Sequence, residues 1–236
     1  MKVVLIIVFA LASLKSFPQQ VEFSFLANYG TYSMGDLKSV HDEIVEFLPV
    51  PAKENGVYPS YWGYQAKVEI DIKRFQVGVF YGFSSTGSRL TYSDYSGKAI
   101  YEQTLRFPQV GLSGLYRLSR NEKLYSYLVY QMGIGFTRMQ FNQLLQVGNE
   151  KLVDDELEFK ASHITISPGI GLCYELTRGV FIKAELRYLM DNLGYLKLAT
   201  DHDVALEDSD GNNARADWSG LRLCAGIGLR LPKSQN

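Results

Sequence analysis

From Trp62 to Ile72 apolar and polar residues alternate without a break. Trp62, Tyr64, Ala66, Val68, Ile70 and Ile72 share one parity, and Gly63, Gln65, Lys67, Glu69 and Asp71 share the other. Successive side chains of a strand point to opposite faces, so this segment predicts a strand with one apolar face and one ionic face. The same split predicts seven more strands, near 21–32, 75–86, 100–118, 124–137, 157–176, 180–191 and 218–231. The pattern has departures. Leu26 falls on the polar parity of the first strand, and above His163 the parity of the sixth slips, which predicts a bulge there. Pro168 also sits within that sixth strand, although proline cannot donate to a ladder.

The connections alternate in length. Brief turns fall at 73–74, 119–123 and 177–179, and long loops near 33–59, 87–99, 138–156 and 192–217. Eight strands with short turns on one rim and long loops on the other predict an all-β fold: an eight-stranded antiparallel up-and-down transmembrane β-barrel with short periplasmic turns and long extracellular loops. A soluble lipocalin-like barrel would also alternate, with its apolar face inward. Two features favour the membrane form. Glycine lies opposite the apolar face in the second, third, fifth, sixth and eighth strands, where a narrow interior needs room for Arg and Glu. The apolar parity also carries Trp62, Tyr64, Tyr81, Tyr116, Tyr130, Tyr174 and Tyr188, which resemble the aromatic girdles of membrane interfaces.

The N-terminus changes the picture by implying export. Lys2 precedes an unbroken apolar run from Val3 to Ala12, followed by small and polar residues to Gln20. Ten apolar residues are too few for a spanning helix and suit a secretory signal over residues 1–20, with cleavage expected between 12 and 20. The barrel is expected over 21–231 and a short tail over 232–236. No later stretch reaches 18 uninterrupted apolar residues, which excludes spanning helices and leaves a closed barrel as the membrane solution. The 236 residues are 46% hydrophobic and 21% charged, ordinary values for a folded domain. Loss of Lys2 and Lys15 with the signal takes the net charge from −1 to −3, so no basic footprint points to nucleic acid.

The chain resembles the small eight-stranded outer-membrane barrels, and more narrowly the outer membrane protein beta-barrel family of Bacteroidota. The stretches Gly30-Thr31-Tyr32-Ser33-Met34-Gly35-Asp36-Leu37-Lys38 and Thr86-Gly87-Ser88-Arg89-Leu90-Thr91-Tyr92-Ser93-Asp94-Tyr95-Ser96-Gly97 carry the resemblance. It implies an integral outer-membrane location, contact with outer-membrane lipid, and passage through the barrel-insertion machinery. It implies no catalytic residue. Many such barrels end on an aromatic residue, whereas here Leu231 is followed by Pro232-Lys233-Ser234-Gln235-Asn236.

The candidate site is the lumen. Its inward charges are Glu22, Lys67, Glu69, Asp71, Arg117, Glu175, Lys183, Glu185, Arg187, Arg222 and Arg230, five acidic and six basic. An eight-stranded barrel is just wide enough to be filled by side chains, and buried charges must pair. These residues are expected to form a packed ionic network, with Lys183, Glu185, Arg187 and Arg222 at its centre. Cys173 and Cys224 fall on strands separated by one other, about 10 Å apart at 4.8 Å per strand, too far to bridge easily.

Other motifs carry less. Ser162-His163-Ile164-Thr165 is a local echo of lipid-modifying barrel enzymes. Asp208-Ser209-Asp210-Gly211-Asn212-Asn213 starts like a calcium loop but lacks glycine at the sixth position and Glu at the twelfth. There is no H-E-x-x-H, C-x-x-C or phosphate-binding loop, so no cofactor and no metal site are expected. Met34, Leu37, Val40, Ile44 and Leu48 recur at helical spacing, predicting a short helix on the barrel rim ended by Pro49 and Pro51. Tyr92, Ser93, Tyr95, Ser96 and Tyr101 make the second loop a candidate surface for an extracellular ligand. The leading expectation is a monomeric, non-enzymatic barrel with a structural or surface-interaction role. A narrow pore or hydrophobic-compound transporter is the alternative, and a lipid-modifying enzyme comes third.

Overall fold

The computed structural model describes residues 20–231 apart from 48–52, 94, 96, 120–122, 148–149, 193, 202 and 208–210. The signal segment and the 232–236 tail, together with Leu48, His202 and Asp208–Asp210, lie outside the described residues, save Gln20, which begins the first strand.

Its elements are β1 (Gln20–Gly30), α1 (Gly35–Phe47), β2 (Lys53–Val57), β3 (Tyr61–Ile72), β4 (Phe75–Ser93), β5 (Gly97–Arg117), β6 (Leu124–Val147), β7 (Glu150–Thr177), β8 (Val180–Asn192), β9 (Lys197–Leu198) and β10 (Gly220–Arg230). Eight of the strands pair antiparallel in the order β1-β3-β4-β5-β6-β7-β8-β10, and β10 returns to β1, with Phe25 opposite both Ala66 and Ile227. The ring is closed, so the barrel has no free edge at membrane depth. On the turn rim, Lys73 takes the left-handed φ of 60° in the two-residue link of Ile72 to Phe75, and Gly179 takes φ 89° in the link of Thr177 to Val180.

Outward side chains are apolar over the ring. Val79, Leu112, Met132, Ile170, Leu186 and Ile227 all stand exposed, while Gln65, Lys67, Glu69 and Lys183 are buried inside. No soluble protein leaves such a belt bare, so the outer wall is a lipid-facing surface. Pro168 fits because the β7–β8 ladder lapses between Ile166 and Gly169, where its missing N–H would have been needed.

The expected bulge above His163 is absent. β6 and β7 pair without a shift from Leu124 opposite Tyr174 to Leu145 opposite Val153. What changes there is polarity, not register. Below, Ile164 and Ile170 face out; above, Phe159 and Ala161 turn inward and are buried, while Lys160 and Ser162 are exposed. The strand leaves the lipid and enters water, so the oily face belongs inside. For the same reason the segments 87–99 and 138–156 are not loops. β4 and β5 continue as a ladder to Ser93 opposite Lys98, and β6 and β7 to Val147 opposite Glu150. The barrel thus rises into a sheet crown, to which β2 adds beside β4 and β9 beside β7.

The crown has its own apolar core. Met34, Leu37 and Val40 from α1 and its entry pack with Leu105, Phe107, Met139, Phe159, Leu196, Ala216 and Trp218. Helix α1 therefore lies over the mouth with its apolar stripe downward, and Asp36 in its first turn accepts from the Arg215 N–H at 3.1 Å.

Candidate functional site: the barrel lumen

Alternate residues of every ring strand point inward, so the lumen is built from one face of eight strands. Its lower tier is set by Arg230 of β10. Its guanidinium contacts Glu22 of β1 at 3.1 Å, Glu175 of β7 at 3.1 Å and the Tyr125 hydroxyl at 3.2 Å. Arg117 and Asp71 pair at 2.6 Å near the turn rim, with the guanidinium 4.8 Å from the Tyr125 ring centre.

The middle tier is fully buried. Lys183 lies between Glu22 and Glu69, and its ammonium is 2.9 Å from Glu69 Oε2. Glu69 also accepts from the Ser113 hydroxyl at 2.6 Å, and Gln76 donates to Glu22 at 3.0 Å. Lys67 pairs with Glu185 at 2.6 Å, and Glu185 accepts from the Tyr127 hydroxyl at 3.1 Å. Arg187 Nε lies 3.2 Å from Glu185, and its outer nitrogens donate to Gln131 and, at 2.9 Å, to Gln65. The same guanidinium lies 2.9 Å from Cys224 Sγ. Cys173 and Cys224 are both free and buried.

Arg222 does not join this network. It donates to the Trp218 carbonyl at 2.8 Å and to the Thr31 carbonyl, and it covers the Tyr32 ring at 4.6 Å. Its work is to tie loop ends to the wall. Desolvation beneath this layer pushes the Tyr32 phenol up from its ordinary value.

One inward cluster was missed by the sequence reading. His163 points inward and Ser162 outward, so the adjacent pair cannot act together. Instead His163 Nε2 lies 2.7 Å from the Thr137 hydroxyl and Nδ1 lies 3.0 Å from Asp191. Trp218 closes the group: its indole N–H donates to Thr137 at 2.8 Å and its backbone N–H to Asp191 at 3.2 Å. Phe107 stacks on the indole at 4.7 Å and meets the His163 ring edge-on at 5.5 Å. Asp191 was visible on the polar parity of its strand, and counting it brings the inward charges to six acidic and six basic. The lumen is then neutral, as burial demands.

The inward glycines make room for rings as well as for charges. A Cβ at Gly135 would overlap the Phe107 ring, and one at Gly171 the Tyr127 ring, whereas Gly169 adjoins Arg187. Among the interface aromatics, Trp62, Tyr64, Tyr81 and Tyr188 face outward toward the crown side, with Tyr116 and Tyr174 toward the turn rim. Tyr130 departs from this arrangement. It lies midway along the outward face of β6, opposite Gly114 and Pro168.

No family model matches the chain, and no curated protein does. Solved structures do. A major outer membrane protein from Thermus thermophilus is 12% identical over 89% of this chain and 99% of that chain, with a TM-score of 0.54. Ail, the attachment invasion locus protein of Yersinia pestis, is 12% identical over 90% and 97%, with a TM-score of 0.43. The first of these likenesses shows the fold, that of an outer-membrane β-barrel.

Proposed function

We propose that this chain is an integral bacterial outer-membrane barrel that acts through its crown, with a closed lumen and no reaction of its own. One observation carries the reading: the lumen is occupied at two successive levels. Lys183 with Glu22 and Glu69, and Lys67 with Glu185, fill the middle. Trp218 stacked on Phe107 covers the layer above. A solute would have to break buried ion pairs, each break costing about 3–5 kcal/mol by leaving a charge uncompensated. The Thr137–His163–Asp191 chain has the order of a nucleophile, base and orienting acid, but Trp218 seals it and uses the Thr137 oxygen as an acceptor. We read it as a latch for the loop that ends at Trp218.

The Bacteroidota family is part of the proposal, on the stretches 30–38 and 86–97, as are contact with outer-membrane lipid and assembly through the insertion machinery. Purified protein in planar lipid bilayers tests the closed lumen. Silence at all applied voltages is expected, and stepwise openings of uniform size would replace this reading by transport.

A further inference from the structure

Just above the lipid belt the outer wall carries a row of cations. Arg106 of β5 is the cross-strand partner of Arg138 of β6, Arg138 of Lys160 of β7, and Lys160 of Lys197 of β9. All four side chains are exposed. Like charges directly opposite one another on a sheet repel, so four in a line have no structural merit of their own. Three inter-strand steps make the row about 14 Å long.

Neutralisation within the chain is partial. Glu158, one outward position higher on β7, lies 2.9 Å from Arg138 and 3.5 Å from Lys160. Its cross-strand neighbours in that higher row, Gln140 and Thr104, carry no charge. Among the described residues, Arg106 and Lys197 have no acidic partner.

The row also borders a depression. An open cavity of about 490 Å³ is lined by Arg106, Arg138 and Lys160 above and by Tyr81, Phe83 and Phe136 below. Phe83, Pro108 and Phe136 form the last outward apolar row, two residues or about 7 Å along the strands from the cations. An occupant must therefore be anionic at one end and oily at the other. A soluble anion would leave the aromatic floor bare, and an uncharged lipid would leave the cations unmet.

We propose that this row and depression bind the phosphorylated headgroup of an outer-leaflet lipid, with its acyl chains lying along Phe83 and Phe136. The guanidinium groups of Arg106 and Arg138 hold phosphate oxygens by charge-assisted hydrogen bonds, and Lys160 and Lys197 supply point charge. The site rests on the outer-membrane reading but is independent of whether the lumen conducts.

Native mass spectrometry of the detergent-extracted full-length protein tests it, with three probes: lipid A, lipid A freed of its phosphates, and inorganic phosphate. Lipid A is expected to stay bound at least about tenfold better than the dephosphorylated form, and Arg106→Gln or Lys197→Gln each to weaken it up to about fivefold. Arg89→Gln, a crown cation paired across the strand with Glu102, is expected to change nothing. Heat-modifiable gel mobility checks that each variant is a folded barrel. Equal retention of the dephosphorylated lipid, or undiminished binding by the folded Arg106→Gln and Lys197→Gln variants, overturns the proposal. Inorganic phosphate displacing lipid A at equal concentration overturns the lipid in favour of a free-anion site.

Discussion

The indole of Trp218 lies face to face on the ring of Phe107, 4.7 Å between centroids and 11° from parallel. The two come from distant parts of the chain, the last long connection and the upper half of β5. Their stack sits where the ionic lumen gives way to the apolar crown. Tyr32 meets the indole edge-on at 5.1 Å. Trp218→Ala removes this joint and the N–H bond to Thr137 together. A loss of about 3–5 kcal/mol is expected from such a truncation, seen as a lower unfolding midpoint in urea with the barrel in detergent. Conductance in bilayers is expected to stay at zero, because the Lys183 and Lys67 tiers below remain closed.

Lys183 is the centre of that lower closure. Lys183→Met leaves Glu22 and Glu69 facing each other in a buried space, with Arg230 beside Glu22 and Lys67 near Glu69 as the remaining compensation. Such a break is expected to cost about 3–5 kcal/mol. Adding Glu69→Gln to Lys183→Met removes the excess charge and is expected to recover more than half of the loss. The midpoints of urea unfolding, followed by heat-modifiable mobility, check both. A double variant no more stable than the single one would show that packing volume, not charge, governs the tier.

The alternation from Trp62 to Ile72 made the ring legible, because a lipid-facing strand repeats its polarity with a period of two whatever its neighbours do. Extent was harder to read. Leu105, Phe107, Met139 and Phe159 are apolar residues pointing inward. Met139 fell past the predicted end of its strand at 137, and Phe159 in the segment predicted to slip, because the outside had changed from lipid to water. The ladder continued while the polarity code reversed, and a one-solvent rule reads that as a bulge or a loop. The lumen charges were legible as a set, since parity alone sends them inward. Their pairing was not. Lys67 and Glu185 lie 118 residues apart, and register and barrel closure decide that they meet. Arg222 shares its parity with Arg187, yet height along the barrel gives it loop carbonyls instead of carboxylates.

The reversal of polarity along β7 can be tested directly. Ile170 and Ser162 share the outward face of that strand, eight residues apart, the first within the lipid belt and the second at its edge, opposite Phe136. Arginine in place of Ile170 is expected to cost about 2–4 kcal/mol, and in place of Ser162 about 0–1 kcal/mol, following the depth dependence of cations on barrel walls. Reversible folding into lipid vesicles measures both. Equal penalties would move the boundary above Ser162 and place the cation row inside the lipid.

The last prediction separates a latch from a catalyst at His163. The imidazole bridges Thr137 on β6 and Asp191 on β8, so it couples three adjacent strands through side chains. His163→Ala removes the group that links Thr137 to Asp191, leaving the buried carboxylate with the Trp218 N–H but without the imidazole. A loss of about 1–3 kcal/mol in unfolding is expected from the orphaned groups. Thr137→Val is expected to cost a similar amount through the lost indole bond, and the pair of substitutions less than the sum, since both act on one chain of contacts. Were the group catalytic, expression of the wild-type barrel would shift the mass of the host's lipid A, and either substitution would abolish the shift. The expected spectrum is the same with wild type, His163→Ala and no barrel at all, because the Thr137 oxygen is buried and already accepts the Trp218 indole N–H.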